Sequence, residues 1–443
     1  MNSKILFLLL SGVIIATGYA CGEETSDDAG MMQATDVSDD NDFDEPVHFV
    51  KSEYANQVDV DPQLTDFVPA LESPAATGAA TPPSDGFFDA SATYIGAFAP
   101  GGDDWTAGWT NFDAEPTNDC PALADRETVE ISGQITESAT WDCTKKPVLN
   151  DLVFVNADVT LTIEKGTWIL GDAGSAFIVT RGGKLITNGT ADAPVVFTSI
   201  NATTDNPSRA GDWGGLVLLG KAPINVEENA IEGIDPANPA VPEDGNKYGG
   251  SDEAHDCGQL KYTRVEYAGF ELTTDNELNG VTLGGCGTAT TVDYVQVHEG
   301  LDDGIEIFGG APNLKYVVLS NIQDDSLDWD QGFHGKIQFL VAKQSDADAD
   351  NGFEADNLKA NNDATPRSMP TIYNATLLGS EAGSNGMVLR RGTWGVLKNF
   401  IISGFPKSGV DVRDGATAAG ADDDSLSITN SIFFSNGMAF DEN

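Results

Sequence analysis

From about residue 127 onward, short apolar runs rich in Val, Ile and Thr alternate with Gly, Asn and Asp turns, which predicts strands of four to six residues. Val159-Thr160-Leu161-Thr162-Ile163, Phe177-Ile178-Val179-Thr180 and Pro194-Val195-Val196-Phe197-Thr198 are early examples. Farther along, the pattern acquires a period. Tyr294-Val295-Gln296-Val297 is followed 22 residues later by Tyr316-Val317-Val318-Leu319, and Phe339-Leu340-Val341-Ala342 comes 23 later again. Looser echoes begin at Tyr262, Tyr373 and Phe400. A second strand follows each unit: Gly304-Ile305-Glu306-Ile307, Ser326-Leu327-Asp328-Trp329, Gly352-Phe353-Glu354-Ala355, Gly386-Met387-Val388-Leu389 and Gly409-Val410-Asp411-Val412. A coil of this length with two or three short strands is one rung of a parallel β-helix, and stacked rungs share one long core. A propeller blade needs four antiparallel strands in roughly 40 residues and fits less well. The expected fold class is all-β, with the β-helix over residues 127–443, Val295, Val317 and Leu340 in one inner stack, and a C-terminus that reads as truncated because no amphipathic cap follows the last strand.

The N-terminus is patterned differently. A weakly basic start leads into an apolar run from Ile5 to Ala16. That run is too short to span a bilayer and suits a signal peptide over residues 1–20. Gly18-Tyr19-Ala20-Cys21 puts small residues at two positions before a cysteine, as in bacterial lipoprotein signals, so Cys21 is the expected lipidation site; plain cleavage after Ala20 is the alternative. Residues 21–84 are acidic and aperiodic and read as a disordered tether. Residues 85–126 carry Phe87, Phe88, Tyr94, Phe98, Trp105, Trp109 and Phe112 among glycines, an aromatic cap or docking segment whose default role is packing.

Export implies an oxidising compartment. Of the five cysteines, local pairing gives Cys120 with Cys143 and Cys257 with Cys286, leaving Cys21 for a lipid.

Charge narrows the partners. Seventy acidic residues against 23 basic ones give a net charge of -47. Nucleic acid and anionic bilayers are repelled by such a surface. The acids are also placed regularly. In the second strands, apolar residues alternate with Glu306, Asp328, Asp330, Glu354 and Asp356, so period-two alternation sends these outward. Rungs stacked in register align Glu306, Asp328 and Glu354 in one column and Asp330 and Asp356 in the next. Carboxylates about 4.8 Å apart repel by roughly 3 kcal/mol at an effective dielectric near 20. Solvation, shared protons or a bridging cation must offset that. Asp302, Asp303, Asp324 and Asp325 add to the preceding turns, and Asp346, Asp348 and Asp350 to a looser one. Hard oxygen donors in excess favour Ca2+, so the five strand acids form a candidate Ca2+ site. Arg390, Arg391 and Arg413 follow on the same face; Arg390 and Arg413 join Asp302, Asp303, Asp324 and Asp325 as a candidate ligand face.

Several segments carry a resemblance. They are Glu164-Lys165-Gly166-Thr167, Arg181-Gly182-Gly183-Lys184-Leu185-Ile186-Thr187-Asn188-Gly189-Thr190, Asp212-Trp213-Gly214-Gly215-Leu216-Val217-Leu218-Leu219-Gly220, Leu260-Lys261-Tyr262-Thr263-Arg264-Val265-Glu266-Tyr267-Ala268-Gly269 and Asp302-Asp303-Gly304-Ile305-Glu306. With them, residues 151–436 resemble the single-stranded right-handed β-helix superfamily, the pectin-lyase-like fold, and more narrowly a group of exported bacterial β-helix lipoproteins. The resemblance implies right-handedness and no common reaction, since fold alone does not supply function. Pectate lyases and polygalacturonases share the fold. A lyase reading sets Ca2+ on Asp328, Asp330, Glu354 and Asp356 with Arg390 as base; a hydrolase reading uses two of the carboxylates as acid and base. Neither local motif is matched cleanly, and His334 reads as a turn residue. No catalytic residue is assigned.

The expected function is therefore a non-catalytic, surface-anchored lipoprotein of the cell envelope, on the outer membrane, contacting a glycan or an outer-membrane protein through an acidic, Ca2+-loaded face. A carbohydrate-active lyase or hydrolase and a structural spacer are the rivals.

Overall fold

The computed structural model describes residues 43–442 except 113–114, 116–117 and 274–275. The expected signal peptide, Cys21 and the tether up to residue 42 lie outside the described residues.

Two series of strands stack in parallel along the solenoid. The long ones are Gly258–Glu266, Thr291–His298, Asn313–Ser320, Lys336–Lys343, Thr371–Leu378 and Gly395–Ser403. The short ones are Val281–Gly284, Ile305–Phe308, Leu327–Asp330, Phe353–Ala355, Met387–Leu389 and Ser408–Val412. The core follows from this register. Val295 pairs with Val317, Val317 with Leu340, Leu340 with Ala375 and Ala375 with Phe400, all buried.

Each long strand bends at one residue in the left-handed region: Tyr262, Tyr294, Tyr316, Phe339, Asn374 and Asn399, with φ between 43° and 63°. The first four stack, at ring separations of 4.3, 4.3 and 4.9 Å. Of the looser sequence echoes, Tyr262 is in register, while those at Tyr373 and Phe400 are out by one residue. Tyr373 pairs with Gln338, and Asn374 takes over the bend. Asn suits that conformation because its short polar side chain tolerates a positive φ.

The expectation of a disordered tether fails over residues 43–84, which are folded onto the solenoid. Phe49, Tyr54, Phe67 and Ala75 are buried there, and Gln57-Val58 pairs with Ile432-Phe433. The acidic flanks conceal these anchors, which are too few to give a period. The segment also supplies the missing cover: Phe49, on the helix Glu45–Phe49, stacks on Phe440 of the last rung at 5.3 Å.

The aromatic residues that follow pack as expected. Trp109 is 1% exposed and meets Tyr262 and Tyr294 edge-on, and Trp105 meets Tyr316. Both expected disulfides are present, Cys120–Cys143 and Cys257–Cys286.

Candidate functional site

The acids of the second strands stand in the expected register. Ile305 pairs with Leu327 and Leu327 with Phe353 inside, while Glu306 pairs with Asp328 and Asp328 with Glu354 on the outer side. Facing outward does not leave them solvated. The excursion between the strands Leu216–Leu219 and Gly258–Glu266 folds back over this face. Its Tyr248 is 1% exposed, stacks on Phe308 at 5.5 Å and donates from its hydroxyl to Gln331. Asn279 donates through Nδ2 to Glu306 Oε2 at 2.5 Å. Neither Tyr248 nor Asn279 was singled out from the sequence, because both lie in segments without rung period.

The turns preceding these strands form a ladder of their own. Asp303 Oδ1 accepts from the backbone N–H of Asp325, and Asp325 Oδ1 from that of Asn351. Asn351 Oδ1 does the same for Asn385. One hydrogen bond per rung is thus supplied first by two aspartates and then by a neutral asparagine. The hydrogen bond does not require the negative charge, so the charge at 303 and 325 is additional to the needs of the turn.

That charge is concentrated. Donor oxygens of Asp302, Asp303 and Asp324 lie within 4.8 Å of one another, as do those of Asp303, Glu306 and Asp328, and those of Asp324, Asp325 and Asp350. Among the described residues, Asp328 Oδ1 and Asn279 Oδ1 are buried without a hydrogen-bond partner. Burial, then the neighbouring Asp324, pushes Asp302 up to about 7; burial, then Asp350, pushes Asp324 up to about 6. Burial first, and like charge second, also holds Asp303, Asp325, Glu306 and Asp328 well above the usual carboxylate range. Asp330 is raised by burial to about 6, against the pull of the Gln331 N–H and of Arg391 and Arg390.

Glu354 and Asp356 are in a different setting. Arg390 reaches Glu354 through Nη2 and Asp356 through Nε at 2.9 Å, and Arg391 Nη1 is 2.6 Å from Asp356. Burial raises Asp356 to about 7 despite Arg391. At this end of the ladder the protein supplies the counter-charge itself, through two arginines on the next rung. Arg413 turns to Asp411 instead, at 2.9 Å. Among the described residues, the carboxylates brought together without an arginine at hydrogen-bonding distance are Asp302, Asp303, Asp324, Asp325, Asp350, Glu306 and Asp328. His334 lies apart, bonded to the Gly332 carbonyl and to Glu253.

Chemically, the cluster offers hard oxygen donors in overlapping groups of three, the donor set that suits Ca2+. Among the curated proteins and solved structures compared with the chain, none matches it. The model of the pectate-lyase like beta helix domain matches residues 133–442, from the first strands to the last rung, so the chain belongs to that family and its solenoid is a right-handed parallel β-helix.

Proposed function

We propose that this protein is a non-catalytic binding protein of the cell envelope whose acidic cluster holds Ca2+. The carrying observation is the pair Asp303 and Asp325. Both are carboxyls where Asn351 shows that a neutral side chain makes the same turn hydrogen bond, and they stand beside Asp328 Oδ1, which is buried without a partner among the described residues. A divalent cation offsets like charges that burial otherwise makes costly. Bound to the folded form alone at 100 times its dissociation constant, it stabilises by about 2.7 kcal/mol. The test is a calcium titration by calorimetry on chelator-treated protein. Binding that is lost in Asp303→Asn with Asp328→Asn supports the reading; no heat at millimolar calcium sinks it.

The partner in this reading is a glycan or an outer-membrane protein. A glycan array run with and without chelator tests the first, and a polysaccharide panel assayed for unsaturated or reducing ends tests the lyase and hydrolase alternatives. Cys21 carries the lipid anchor in the same proposal. Cys21→Ser moves the protein out of the membrane fraction if that is right, and leaves it there if it is wrong.

A further inference from the structure

The excursion between Leu216–Leu219 and Gly258–Glu266 encloses a cavity of about 460 Å3 against the early rungs. One side comes from three stacked rungs. Asn156 and Ala157 follow Val155, Thr180 and Arg181 follow Val179, and Lys221 comes shortly after Leu218. Val155 pairs with Val179 and Val179 with Leu218. The other side is Pro242-Glu243-Asp244 of the excursion. Burial holds the two sides together: Ile231, Ile234 and Val241 share one apolar cluster with Phe154, Ile178 and Val217 of the same rungs. Charge fixes one corner. Arg181 Nη1 donates to Glu228 Oε2 at 2.6 Å and to the Gly249 carbonyl at 3.2 Å, and Nη2 stands 3.6 Å from Asp244. Lys247 Nζ reaches the same Glu228 at 2.7 Å. These two cations and two carboxylates cancel. Lys221 and Glu243 differ. Both are exposed and line the cavity, and among the described residues neither has an opposite charge within ion-pair distance.

We propose that this cavity binds a neutral saccharide, with Lys221 donating to its hydroxyls and Glu243 accepting from them. The inference rests on the glycan reading above and places the glycan away from the acidic cluster: the strand Val281–Gly284 separates these rungs from Ile305–Phe308, where the acids begin. Three observations carry the ligand class. The volume lies in the range of small-ligand sites, about 300–1,000 Å3. The lining is polar except for Ala157 and Pro242, whereas pockets for apolar ligands are mostly hydrophobic. The charged residues of the lining also balance, Arg181 and Lys221 against Glu243 and Asp244, in a chain whose net charge is -47. An anion would need a surplus of cations here, and a metal ion finds denser carboxylate groups elsewhere. A sugar hydroxyl donates and accepts at once, so one ligand can bridge a lysine and a glutamate that do not pair with each other. Ala157 and Pro242 offer a small apolar surface to the C–H face of a sugar ring. Because apolar burial anchors the excursion, the site is formed in advance and binding carries little ordering cost.

The test titrates short neutral oligosaccharides derived from starch, cellulose, mannan and xylan into the full chain in chelator, by isothermal calorimetry, with oligogalacturonate as the anionic control. The expected result is that at least one neutral probe binds at millimolar concentration or below and the galacturonate does not. Lys221→Met with Glu243→Gln should weaken that binding about tenfold or more, the usual consequence of losing hydrogen bonds to charged groups. Ala157→Trp, at an exposed position in the lining, should fill the cavity and abolish binding. The Lys221 and Glu243 variant should melt with the parent, since it breaks no ion pair; if the Ala157 variant melts lower, the other decides alone. Absence of binding by every neutral probe overturns the proposal together with the glycan half of the reading above. Binding that persists unchanged in the Lys221 and Glu243 variant overturns the proposal alone. Binding that needs calcium and is lost in Asp303→Asn with Asp328→Asn does the same, because it assigns the glycan to the acidic cluster. Failure of the calcium titration while a probe still binds in chelator sinks the calcium site and leaves this one standing.

Discussion

Arg390 Nε donates to Asp356 Oδ1 at 2.9 Å while Nη2 of the same guanidinium reaches Glu354, so one cation spans two carboxylates of neighbouring columns. Breaking a buried charge pair by removing one partner typically costs about 3–5 kcal/mol. Arg390→Ala should therefore lower stability in urea denaturation at neutral pH by an amount of that order. Adding Glu354→Gln to the Arg390 variant should recover part of the loss, since it removes one stranded charge.

At the other end of the ladder the sign reverses. Asp303→Asn with Asp325→Asn keeps the turn hydrogen bonds that Asn351 already makes in the next rung. It removes like charges whose repulsion is roughly 3 kcal/mol at an effective dielectric near 20. The double variant should melt higher than the parent in chelator and gain less from added calcium. Equal melting of the two proteins in chelator would show that the charges are already neutralised by protons.

The pH dependence follows from the same groups. Asp302 and Asp356 are raised to about 7 and Asp324 and Asp330 to about 6, above their unfolded values. Their stabilising contribution is present below about pH 4 and is lost as pH rises through 6 to 7. His298 acts in the opposite sense. Burial lowers it to about 4, so its contribution is present above about 6.5 and fades as pH falls. Burial moves His48 and His255 in the same direction. With chelator present, Tm should rise from about pH 8 to about pH 6 because the carboxylates dominate that window. Calcium should flatten the rise, and scanning calorimetry over this range checks both.

Gly96 lies tight against the rungs: a Cβ there would stand 2.6 Å from Ile401 Cδ1. A larger residue meets both Ile401 and a positive φ. Overpacking of this kind costs about 1–3 kcal/mol. Gly96→Val should destabilise the protein by that amount or more and open residues 56–112 to limited proteolysis before the rungs are cut. Peptide mapping of the first fragments gives the order.

The rung period, the inner stack of Val295, Val317 and Leu340, and the column of Glu306, Asp328 and Glu354 were legible in the sequence. Period-two alternation and a near-constant coil length are local properties, and parallel stacking converts them directly into register. The two disulfides were legible for a similar reason, because each joins cysteines fewer than 30 residues apart. The environment of the acids was not legible. Whether an outward carboxylate meets water, an arginine or a tyrosine depends on segments remote in sequence: Tyr248 and Asn279 arrive from irregular excursions, and Arg390 reaches Asp356 from 34 residues on. The place of residues 43–84 depended on longer distances still. Their few apolar anchors look like a solvated tether until the last rung, 375 residues beyond Asn56, provides the surface that buries them. Alternation specifies the side of the sheet on which a residue stands; only the folded chain decides what covers that side, and with it whether a charge is solvated, paired or left for a cation.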